Sequence, residues 1–300
     1  MQTKNFKVDP NFKELTEHRT TVLPIACYRT TIRQNINGYI PLHWHEEFQF
    51  VRIMKGQAIF QIQEEKVTLH EGDGMFINSG CLHLAEDDND SGCHYICLNV
   101  LPSFVLSQEL FRTYVYPYIE ATNLSYIILP TREHWAKNIL DAILEIDRLI
   151  HQRPALYELD LTIQLTHIWR NLVVNGFPLE YKEADMLKNH RMKQMLNWIH
   201  HHYAEKIILE DIARAGQLSR SECCRYFKRF LKKTPLNYVM EYRIQKSLIL
   251  LQQPEYNVTD VAYQVGFNST SYFINQFRKS MNMTPLTYKK QKKITYHADS

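Results

Sequence analysis

The sequence predicts a two-domain α+β protein, with an amino-terminal barrel or sandwich of short strands, a helix pair after it, and a carboxy-terminal all-α domain. Three observations carry this prediction: short β-rich segments with close turns, two stretches with helical apolar spacing, and a pattern that occurs twice near the end. A chain of 300 residues divides naturally into two domains, which we place at residues 1–175 and 191–300, with a linker over 176–190.

The β-rich segments follow one another closely in the first third of the chain. They read FQFVRIM, QAIFQIQ, KVTL, MFI and HYICLNV. In the second of them, Phe60 and Ile62 alternate with Gln61 and Gln63, which is the period of a half-buried strand. Many short strands joined by close turns predict a β-sandwich or barrel.

Two apolar stripes with helical spacing follow, separated by Pro154. The stripes consist of Trp135, Ile139, Ile143, Ile146 and Ile150, and of Leu161, Leu165, Ile168 and Leu172. An antiparallel helix pair at this place would cover the sheet. The next segment, GFPLEYKEADMLKNH, is polar and broken by proline, which is typical of a linker.

In the carboxy-terminal third, one sequence pattern occurs twice at a nearly fixed spacing. Phe227 and Phe277 are 50 positions apart, whereas Asp211 and Asp260 are 49 apart, so the second copy carries one extra residue. A shared spacing is harder to obtain by chance than a shared composition. The repeat therefore predicts two structural units of one kind.

Each copy predicts a short helix, a turn and a longer helix, which is the helix-turn-helix arrangement. Ser219 and Ser269 stand where the longer helices would be capped. The interval with the extra residue contains Gly216 in one copy and Gly266 in the other, and a turn tolerates such a length change.

A further helix should connect the two copies. Thr234 can cap it, Pro235 can occupy its first turn, and Pro254 ends it. About 17 helical residues span roughly 25 Å, and successive major-groove faces on one side of B-DNA lie roughly 34 Å apart. Such a rod could hold two recognition helices in neighbouring groove segments.

Charge separates the two halves of the chain. Residues 187–300 hold 19 Lys and Arg against 8 Asp and Glu, a net charge of +11, whereas residues 1–186 hold 16 against 24, a net charge of −8. A basic segment suits a phosphate backbone, which would repel the acidic half. The alternative, a basic surface that serves only solubility, does not explain the helical repeat.

Over roughly residues 192–290 the chain resembles the AraC/XylS family of transcription regulators. The resemblance rests on LEDIA, CRYFKRF, TPLNYV, VTDVAYQVGF, SYFINQFRK and MTPLTYKK. The family usually has glycine two positions before the Thr-Pro pair, where this chain has Lys232 and Asn282. Asparagine tolerates a left-handed helix end, but lysine does so poorly.

The resemblance implies double-stranded DNA as a partner and assigns eight residues to it. They are Arg220, Ser221, Cys224 and Arg225 in the first recognition helix, and Thr270, Ser271, Ile274 and Asn275 in the second. Arg225 can present a bidentate fork to guanine and Asn275 can do so to adenine. Cys224 and Ile274 can only touch a thymine methyl group, and Arg220 is expected near the DNA backbone.

The strand region resembles the cupin barrel that often forms the sensor half of such regulators. The first motif is matched by Gly38, His43, His45, Gln49 and Gly56. The second motif is matched by Gly72, Asn78, Gly80 and His83. The resemblance implies a small-molecule effector pocket lined by His43, Trp44, His45, Glu47, Gln49 and His83.

No cofactor is expected. In metal-bearing cupins the equivalents of His43, His45 and His83 hold an ion together with a glutamate, but Gln49 stands at the glutamate's position. Three neutral imidazoles and an amide would leave a divalent cation uncompensated, which disfavours a metal site. Glu47 shares strand parity with His43 and His45 and is the carboxylate that could take that place.

Hydrophobicity and cysteine spacing indicate the cellular location and the redox state of the thiols. The sequence has no apolar stretch long enough to span a membrane, and its amino terminus does not read as a signal peptide, so a cytoplasmic location is expected. The six cysteines lack zinc-type spacing and read as reduced thiols. A redox switch at Cys223 and Cys224 is disfavoured because adjacent helical residues point different ways. The run from His200 to His202 is interpreted as the end of a solvated helix.

These observations predict a DNA-binding transcription regulator that senses a sugar or other polar metabolite in its barrel. We expect it to activate transcription, and we do not expect it to be an enzyme. The resemblance further implies a homodimer formed through the helix pair, an amino-terminal arm over residues 1–20 and contact with RNA polymerase. Two alternatives stay open: a metal-dependent cupin enzyme with a DNA-binding tail, and a ligand-free or thiol-responsive regulator.

Overall fold

The computed structural model describes residues 13–20, 22–35, 38–231 and 233–290, without the side chains of residues 183–186 and 189. The chain forms two compact units, Met1–Leu187 and Lys188–Ser300. The first contains two antiparallel sheets and a helical layer, and the second is helical throughout its described part. The α+β class with two structural parts is therefore confirmed.

Nine strands build the first unit over its described residues: β1 (Ile25–Thr31), β2 (Ile40–His43), β3 (Phe48–Lys55), β4 (Gln57–Ile62), β5 (Glu65–His70), β6 (Gly74–Ile77), β7 (His83–Asp87), β8 (His94–Val100) and β9 (Tyr126–Leu129). One sheet has the order β1-β8-β3-β6-β9, and the other has the order β2-β7-β4-β5. All five predicted segments are strands, and β1, β2, β7 and β9 were not singled out from the sequence.

The five-stranded sheet is buried on both of its faces. Its inner face meets the four-stranded sheet in a core that includes Val51, Met75, Phe60 and Leu69. Its outer face meets the helices through Phe48, Phe50, Phe76, Leu98 and Val100. Because neighbouring strand residues point to opposite faces, β3 is an almost continuous run of buried side chains.

The helical layer of the first unit contains three short helices and one long pair. They are α1 (Pro102–Val105), α2 (Gln108–Tyr114), α3 (Tyr116–Glu120), α4 (His134–Gln152) and α5 (Tyr157–Val174). Both predicted apolar stripes face the core, where Trp135 is half-buried and the other members are buried. The helix pair therefore covers the sheet, as the sequence predicts.

The predicted linker begins against the first unit. The Asn123 side-chain amide donates to the Pro178 carbonyl at 2.9 Å, and the Thr122 backbone N–H donates to the Glu180 carbonyl at 2.8 Å. Helix α6 (Glu183–His202) then starts inside the segment predicted as a linker.

The second unit contains α7 (Leu209–Ala215), α8 (Arg220–Leu231), α9 (Pro235–Leu251), α10 (Val258–Gln264) and α11 (Thr270–Met281). The two short-helix, turn and long-helix units and the 17-residue connecting helix α9 correspond to the sequence prediction. Thr234 caps α9 by accepting from the Asn237 backbone N–H at 3.2 Å. No helix within the described ranges combines the length and apolar character needed to cross a membrane.

The turns show where the extra residue of the second copy lies. In the first turn the left-handed residue is Gln217, with φ of 52°, and Leu218 donates to the Ala213 carbonyl. In the second turn Gly266 is left-handed, with φ of 88°, and Phe267 donates to the Ala262 carbonyl. The equivalent of Gly266 is thus Gln217, and Asn268 is the added residue.

Gly216 has a different purpose from the one predicted, because its φ of −88° needs no glycine. A Cβ atom there would lie 2.7 Å from Met195 Cγ, so the glycine lets α6 approach the turn. Asn282 ends α11 in the left-handed region, with φ of 54°, as predicted. Lys232 lies outside the described residues.

The histidine run at the end of α6 is not simply solvated, which corrects the prediction for His200. Its ring is buried, stacks on Tyr242 with centroids 3.7 Å apart, and shares a 2.8 Å hydrogen bond with the Tyr238 hydroxyl. His201 is exposed.

Candidate functional site

The two long helices of the repeat each present a polar face to solvent. On α8, Arg220, Ser221 and Arg225 are exposed and Cys224 is half-buried. On α11, Ser271 and Asn275 are exposed, and Thr270 and Ile274 are half-buried. All eight residues assigned to DNA from the resemblance are thus accessible, but Ile274 also packs against the core of its unit.

The opposite faces of these helices are apolar and buried. Cys223, Phe227 and Phe230 lie inside on α8, and Phe273 and Phe277 do so on α11. Burial of these aromatic rings fixes the rotation of each helix about its axis, because they occupy one stripe at helical spacing. The same rotation aims the polar residues outward.

A capping box fixes the start of α8. The Ser219 backbone N–H donates to Glu222 Oε2 at 3.0 Å, and the Glu222 backbone N–H donates to Ser219 Oγ at 3.3 Å. Hydrogen bonds from Ser219 lower the pKa of Glu222. Arg225 lies 4.0 Å from this carboxylate, and its side chain is 75% exposed. Its guanidinium therefore faces solvent with only a loose ionic contact.

Arg220 is held differently, by an ion pair with Glu210 at 2.9 Å between Nη1 and Oε1. Further positive charge lies on the last turns of both helices, where Lys228, Arg229, Arg278 and Lys279 are exposed. A polar face with cationic groups at its rim can contact phosphates and base edges together.

In the first unit, three histidines converge inside one end of the barrel. His43, His45 and His83 are each at most 2% exposed. One ring nitrogen from each lies within 4.8 Å of one from the other two, and the His43 and His83 ring centroids are 4.1 Å apart. β2 and β7 pair directly at His43 and His83, which places these rings side by side.

The backbone orients all three rings in the same way. Nδ1 lies 2.8 Å from the Pro41 carbonyl in His43, 3.0 Å from the Glu47 carbonyl in His45 and 2.9 Å from the Cys81 carbonyl in His83. A carbonyl oxygen only accepts, so Nδ1 carries the proton in each ring.

The other residues assigned to the pocket differ in position. Gln49 is buried, and its side-chain oxygen Oε1, which can only accept, lies 3.1 Å from His45 Nε2. The Glu47 carboxylate lies 3.6 Å from His45 Nδ1, on the side of the ring held by the backbone. Trp44 is half-buried and has the Lys13 ammonium 5.6 Å from its ring centroid.

Residues 13–20 of the predicted arm add pocket residues that sequence reasoning did not single out, and residues 1–12 lie outside the described residues. The side chain of Glu14 is fully buried, and its Oε2 atom lies 3.2 Å from His18 Nε2 and 3.5 Å from His43 Nε2. His18 is also buried and contacts the Asn99 side-chain amide at 3.0 Å. No local pattern marks these residues, because their role depends on where the arm lies.

The arm is held by strand-like contacts. The Glu14 backbone N–H donates to the Trp44 carbonyl at 2.8 Å, and Lys13 bridges to Trp44 and pairs with Glu46. Thr20 accepts through Oγ1 from the backbone N–H groups of Val22 and Leu23. Within the described residues, Glu14 and His18 are therefore buried beside the three histidines, in one polar, histidine-rich cluster.

The thiols of the second unit are not a matched pair. Cys223 is buried, and this burial, with a smaller effect of Cys224, raises its pKa to about 12. Cys224 is half-buried, and both are free thiols. A thiol that stays protonated at neutral pH is a poor redox sensor, which weakens the thiol-responsive alternative for Cys223.

Comparison with known proteins assigns a family to each unit. A family model described as a helix-turn-helix domain matches residues 212–291, and one described as an AraC-like ligand binding domain matches residues 26–109.

Two relatives align with most of the chain. An uncharacterized HTH-type transcriptional regulator of Bacillus subtilis (strain 168), YdeC, is 70% identical over 287 residues, which are 96% of this chain and 99% of that protein. The HTH-type transcriptional activator RhaS of Enterobacter sp. (strain 638) is 26% identical and covers 82% of this chain and 86% of its own. A solved structure of ToxT from Vibrio cholerae is 15% identical, covers 88% of this chain and 97% of its own, and has a TM-score of 0.43.

Proposed function

We propose, since this chain belongs to the AraC family of HTH-type transcriptional regulators, that it binds specific DNA sequences through α8 and α11 and adjusts this binding to a small molecule held in the barrel. The observation that carries the DNA-binding part is the matched pair of accessible polar faces, each fixed by a buried aromatic stripe. Arg225 and Asn275 supply the side chains best suited to base reading. We expect this activity in the cytoplasm, where the DNA target lies.

Helix α9 supports simultaneous reading of two groove segments. Its 17 residues follow a proline and a side-chain cap, which favours one stiff rod. Arg243 on this rod donates from Nε to the Tyr203 carbonyl and from Nη2 to the Glu205 carbonyl, each at 2.7 Å. These bonds tie the rod to the loop before α7, so the two helix-turn-helix motifs share one framework.

The test of DNA binding is selection of bound sequences from a random duplex pool by the full chain, followed by footprinting of the selected sites. We expect one conserved site with two short conserved blocks about one helical turn apart. Recovery of unrelated sequences with equal affinity would refute sequence-specific recognition.

The barrel is proposed to bind its ligand without transforming it. The enclosed histidines and amides suit a polar molecule, and a sugar or similar metabolite is the class we propose. A thermal-shift screen of the full chain against polar metabolites, with and without chelator, tests this part. A ligand at about 100 times its dissociation constant adds about 2.7 kcal/mol to stability, which a melting curve resolves.

Activation is proposed as the direction of regulation. The Enterobacter relative is named a transcriptional activator, and contact with RNA polymerase would give this chain the same effect. A reporter gene placed behind the selected site distinguishes activation from repression, because loss of the regulator lowers expression only in the first case.

The outer face of α5 is proposed as the dimer interface. Leu159 and Ile163 are each 61% exposed on this helix, and Val174 at its end is 68% exposed. They lie on the side of α5 away from Leu161, Leu165 and Ile168, which fill the core. Exposed apolar side chains on one helix face mark a surface that another protein can cover. Ile163→Lys should shift the full chain from dimer to monomer in analytical ultracentrifugation.

A further inference from the structure

We propose that residues 178–182 form a detachable strap, and that release of this strap from the rest of the first unit raises the affinity of the chain for DNA. The strap is held by Thr122 and Asn123, which we call the latch. The buried Asn78 connects the latch to the loop beside the histidines. This inference rests on the proposed function and deepens it, because it names a route by which the barrel regulates DNA binding.

The two side chains of the latch hold the backbone of the strap. The Asn123 amide donates to the Pro178 carbonyl at 2.9 Å, and its Oδ1 atom accepts from the Glu180 backbone N–H at 2.9 Å. Thr122 Oγ1 accepts from the Lys182 backbone N–H at 2.9 Å and donates to the Glu180 carbonyl at 3.0 Å. The latch therefore pairs with every second residue of the strap, as a neighbouring strand would.

The strap has few contacts besides the latch. Four of its five residues are exposed, and Leu179 packs partly against the core of the first unit. The Tyr181 hydroxyl donates to the Pro117 carbonyl at 3.2 Å. Exposed hydrogen bonds add little net stability, because water satisfies the same groups when the bonds break. Such a segment can open locally while the rest of the unit stays folded.

Asn78 fixes the loop that carries the latch. This side chain is 3% exposed, and its amide donates to the Tyr118 carbonyl at 2.6 Å and to the Leu124 carbonyl at 2.9 Å. These two carbonyls stand before and after the latch in the chain. A buried amide whose donors are both satisfied resists displacement, since loss of either bond leaves a polar group unpaired. The position of Asn78 therefore sets the position of the latch.

The residues after Asn78 contact the segment that carries His45. The Gly80 backbone N–H donates to the His45 carbonyl at 2.8 Å, and Ser79 Oγ donates to the Glu46 carbonyl at 2.8 Å. Asn78 Oδ1 accepts from the Ser79 backbone N–H at 2.8 Å. A ligand in the barrel that shifts the backbone at His45 thus acts on Asn78 and, through it, on the latch. This coupling requires that the ligand binds better when the strap is in one of its two states.

Release of the strap lengthens the connection between the two units. Helix α6 begins at Glu183, directly after the strap, and continues to His202, which belongs to the second unit. Five released residues add at most about 18 Å of extended chain. This length exceeds the Debye length, which is about 10 Å at 0.1 M salt.

Charge determines the direction of the effect on DNA binding. Residues 1–186 have a net charge of −8, and residues 187–300 have a net charge of +11. A phosphate backbone repels the acidic unit and attracts the basic one. A longer connection allows the acidic unit to stay beyond the Debye length while the second unit binds. The released strap therefore favours DNA binding, and the latched strap opposes it.

Amide hydrogen exchange of the full chain, followed by mass spectrometry, tests the latch. In the double variant Thr122→Val and Asn123→Ala, the amides of Glu180 and Lys182 should exchange about tenfold faster than in the wild type. Both substitutions are outside the core, and circular dichroism checks that the variant is folded. Unchanged exchange at these two amides would overturn the latch.

Asn78→Ala tests the connection to the barrel, since within the described residues the Asn78 side chain contacts the latch loop and not the strap. It should accelerate exchange of the strap amides about threefold. Because coupling acts equally in both directions, the double variant of the latch should in turn accelerate exchange of the Gly80 amide. Where Asn78→Ala does not fold, Ser79→Ala removes the bond to Glu46 and should have the same effect on the strap. Unchanged strap exchange in the folded variant would overturn the connection.

Asn35→Ala is the matched control. The Asn35 side-chain amide also donates to two backbone carbonyls, those of Thr31 and Ile32, but in the loop that follows β1. This variant should leave exchange of the strap amides unchanged. Equal acceleration in Asn35→Ala and Asn78→Ala would indicate general loosening of the unit and would overturn the specific role of Asn78.

Binding to the selected DNA site tests the effect of the strap. At about 0.05 M salt the double variant of the latch should bind about threefold more tightly than the wild type, and the difference should shrink at about 0.3 M salt, where charges are screened. Equal or weaker binding by the double variant at low salt would overturn the regulatory role of the strap.

These outcomes are separable from failure of the proposed function, because the exchange measurements need no DNA. A selected DNA site with equal affinity in both proteins keeps the regulator and overturns the role of the strap. Coupled exchange of the strap and the Gly80 amide with no selected DNA site would refute the regulator while supporting the connection between the barrel and the strap.

Discussion

The Phe48 ring lies flat against the Trp169 indole, with ring centroids 4.9 Å apart and planes inclined by 12°. Both side chains are at most 1% exposed, and Trp169 Nε1 donates to the Tyr114 carbonyl at 2.9 Å. This stack joins strand β3 to helix α5, so the barrel and the helix pair share one core.

Trp169→Ala should strongly destabilise the first unit. Removal of a fully buried tryptophan leaves a cavity and a lost hydrogen bond, and we expect a loss of about 3–5 kcal/mol. Urea denaturation of the full chain, followed by circular dichroism, measures it. Trp135→Ala is the matched control, since this half-buried ring should cost clearly less. Equal losses of unfolding free energy in the two variants would show that the Phe48–Trp169 stack adds no stability beyond that of a half-buried tryptophan.

Arg225→Ala should weaken specific DNA binding by about 1–3 kcal/mol and relax base choice at one position. The guanidinium is exposed and only loosely paired, so it is available for a bidentate contact with guanine. Quantitative binding to the selected site and its single-base variants measures both effects. Lys228→Ala, on the last turn of the same helix, should weaken all sequences alike. Uniform loss in Arg225→Ala would mean that it contacts only phosphate.

Gly266→Ala should disrupt the second helix-turn-helix motif. A Cβ atom at Gly266 would lie 2.7 Å from the Tyr203 carbonyl oxygen and 2.8 Å from that of Ala204, and φ is 88°. Gln217→Gly at the equivalent turn should instead stabilise the protein by about 1 kcal/mol, since it relieves a left-handed side chain. Calorimetry of the full chain measures both changes, and opposite signs are the required result.

Cys224 should be the first thiol to react with iodoacetamide at pH 8. With a pKa of about 12, Cys223 would be thiolate in about one molecule in ten thousand at this pH. Burial also raises the pKa of Cys27 and Cys93, and Cys81 and Cys97 are buried. Peptide mapping identifies the labelled site, and Cys224→Ser should abolish rapid labelling. Rapid modification of Cys223 would show that α8 opens in solution.

Sequence patterns predicted what depends on local periodicity. The repeat, the capping serines, the α9 helix and both stripes of the helix pair follow from residues close in the chain. The turn was placed less well, because Gly216 attracts attention as a glycine while the left-handed residue is Gln217. Gly216 is explained by Met195, which is 21 positions away in the sequence.

The barrel site was predicted only in part for the same reason. His43, His45, Gln49 and His83 follow a recognisable motif, and the fold brings them together. Glu14 and His18 belong to no recognisable motif. Their burial depends on where the arm pairs with the rest of the unit, and the local sequence does not show this. Glu47 was the carboxylate suggested by strand parity, and it lies at Nδ1 of His45.

Strand β3 connects the histidine cluster of the first unit to helix α5 over a short distance. Gln49 faces the histidines, and its neighbour Phe48 faces Trp169, so roughly 3.3 Å of backbone separates a pocket residue from a helix contact. Helix α5 is about 10 Å across, and its far side carries Leu159 and Ile163. A shift of the β3 backbone at Gln49 is therefore separated from the exposed face of α5 by one neighbouring residue and one helix diameter.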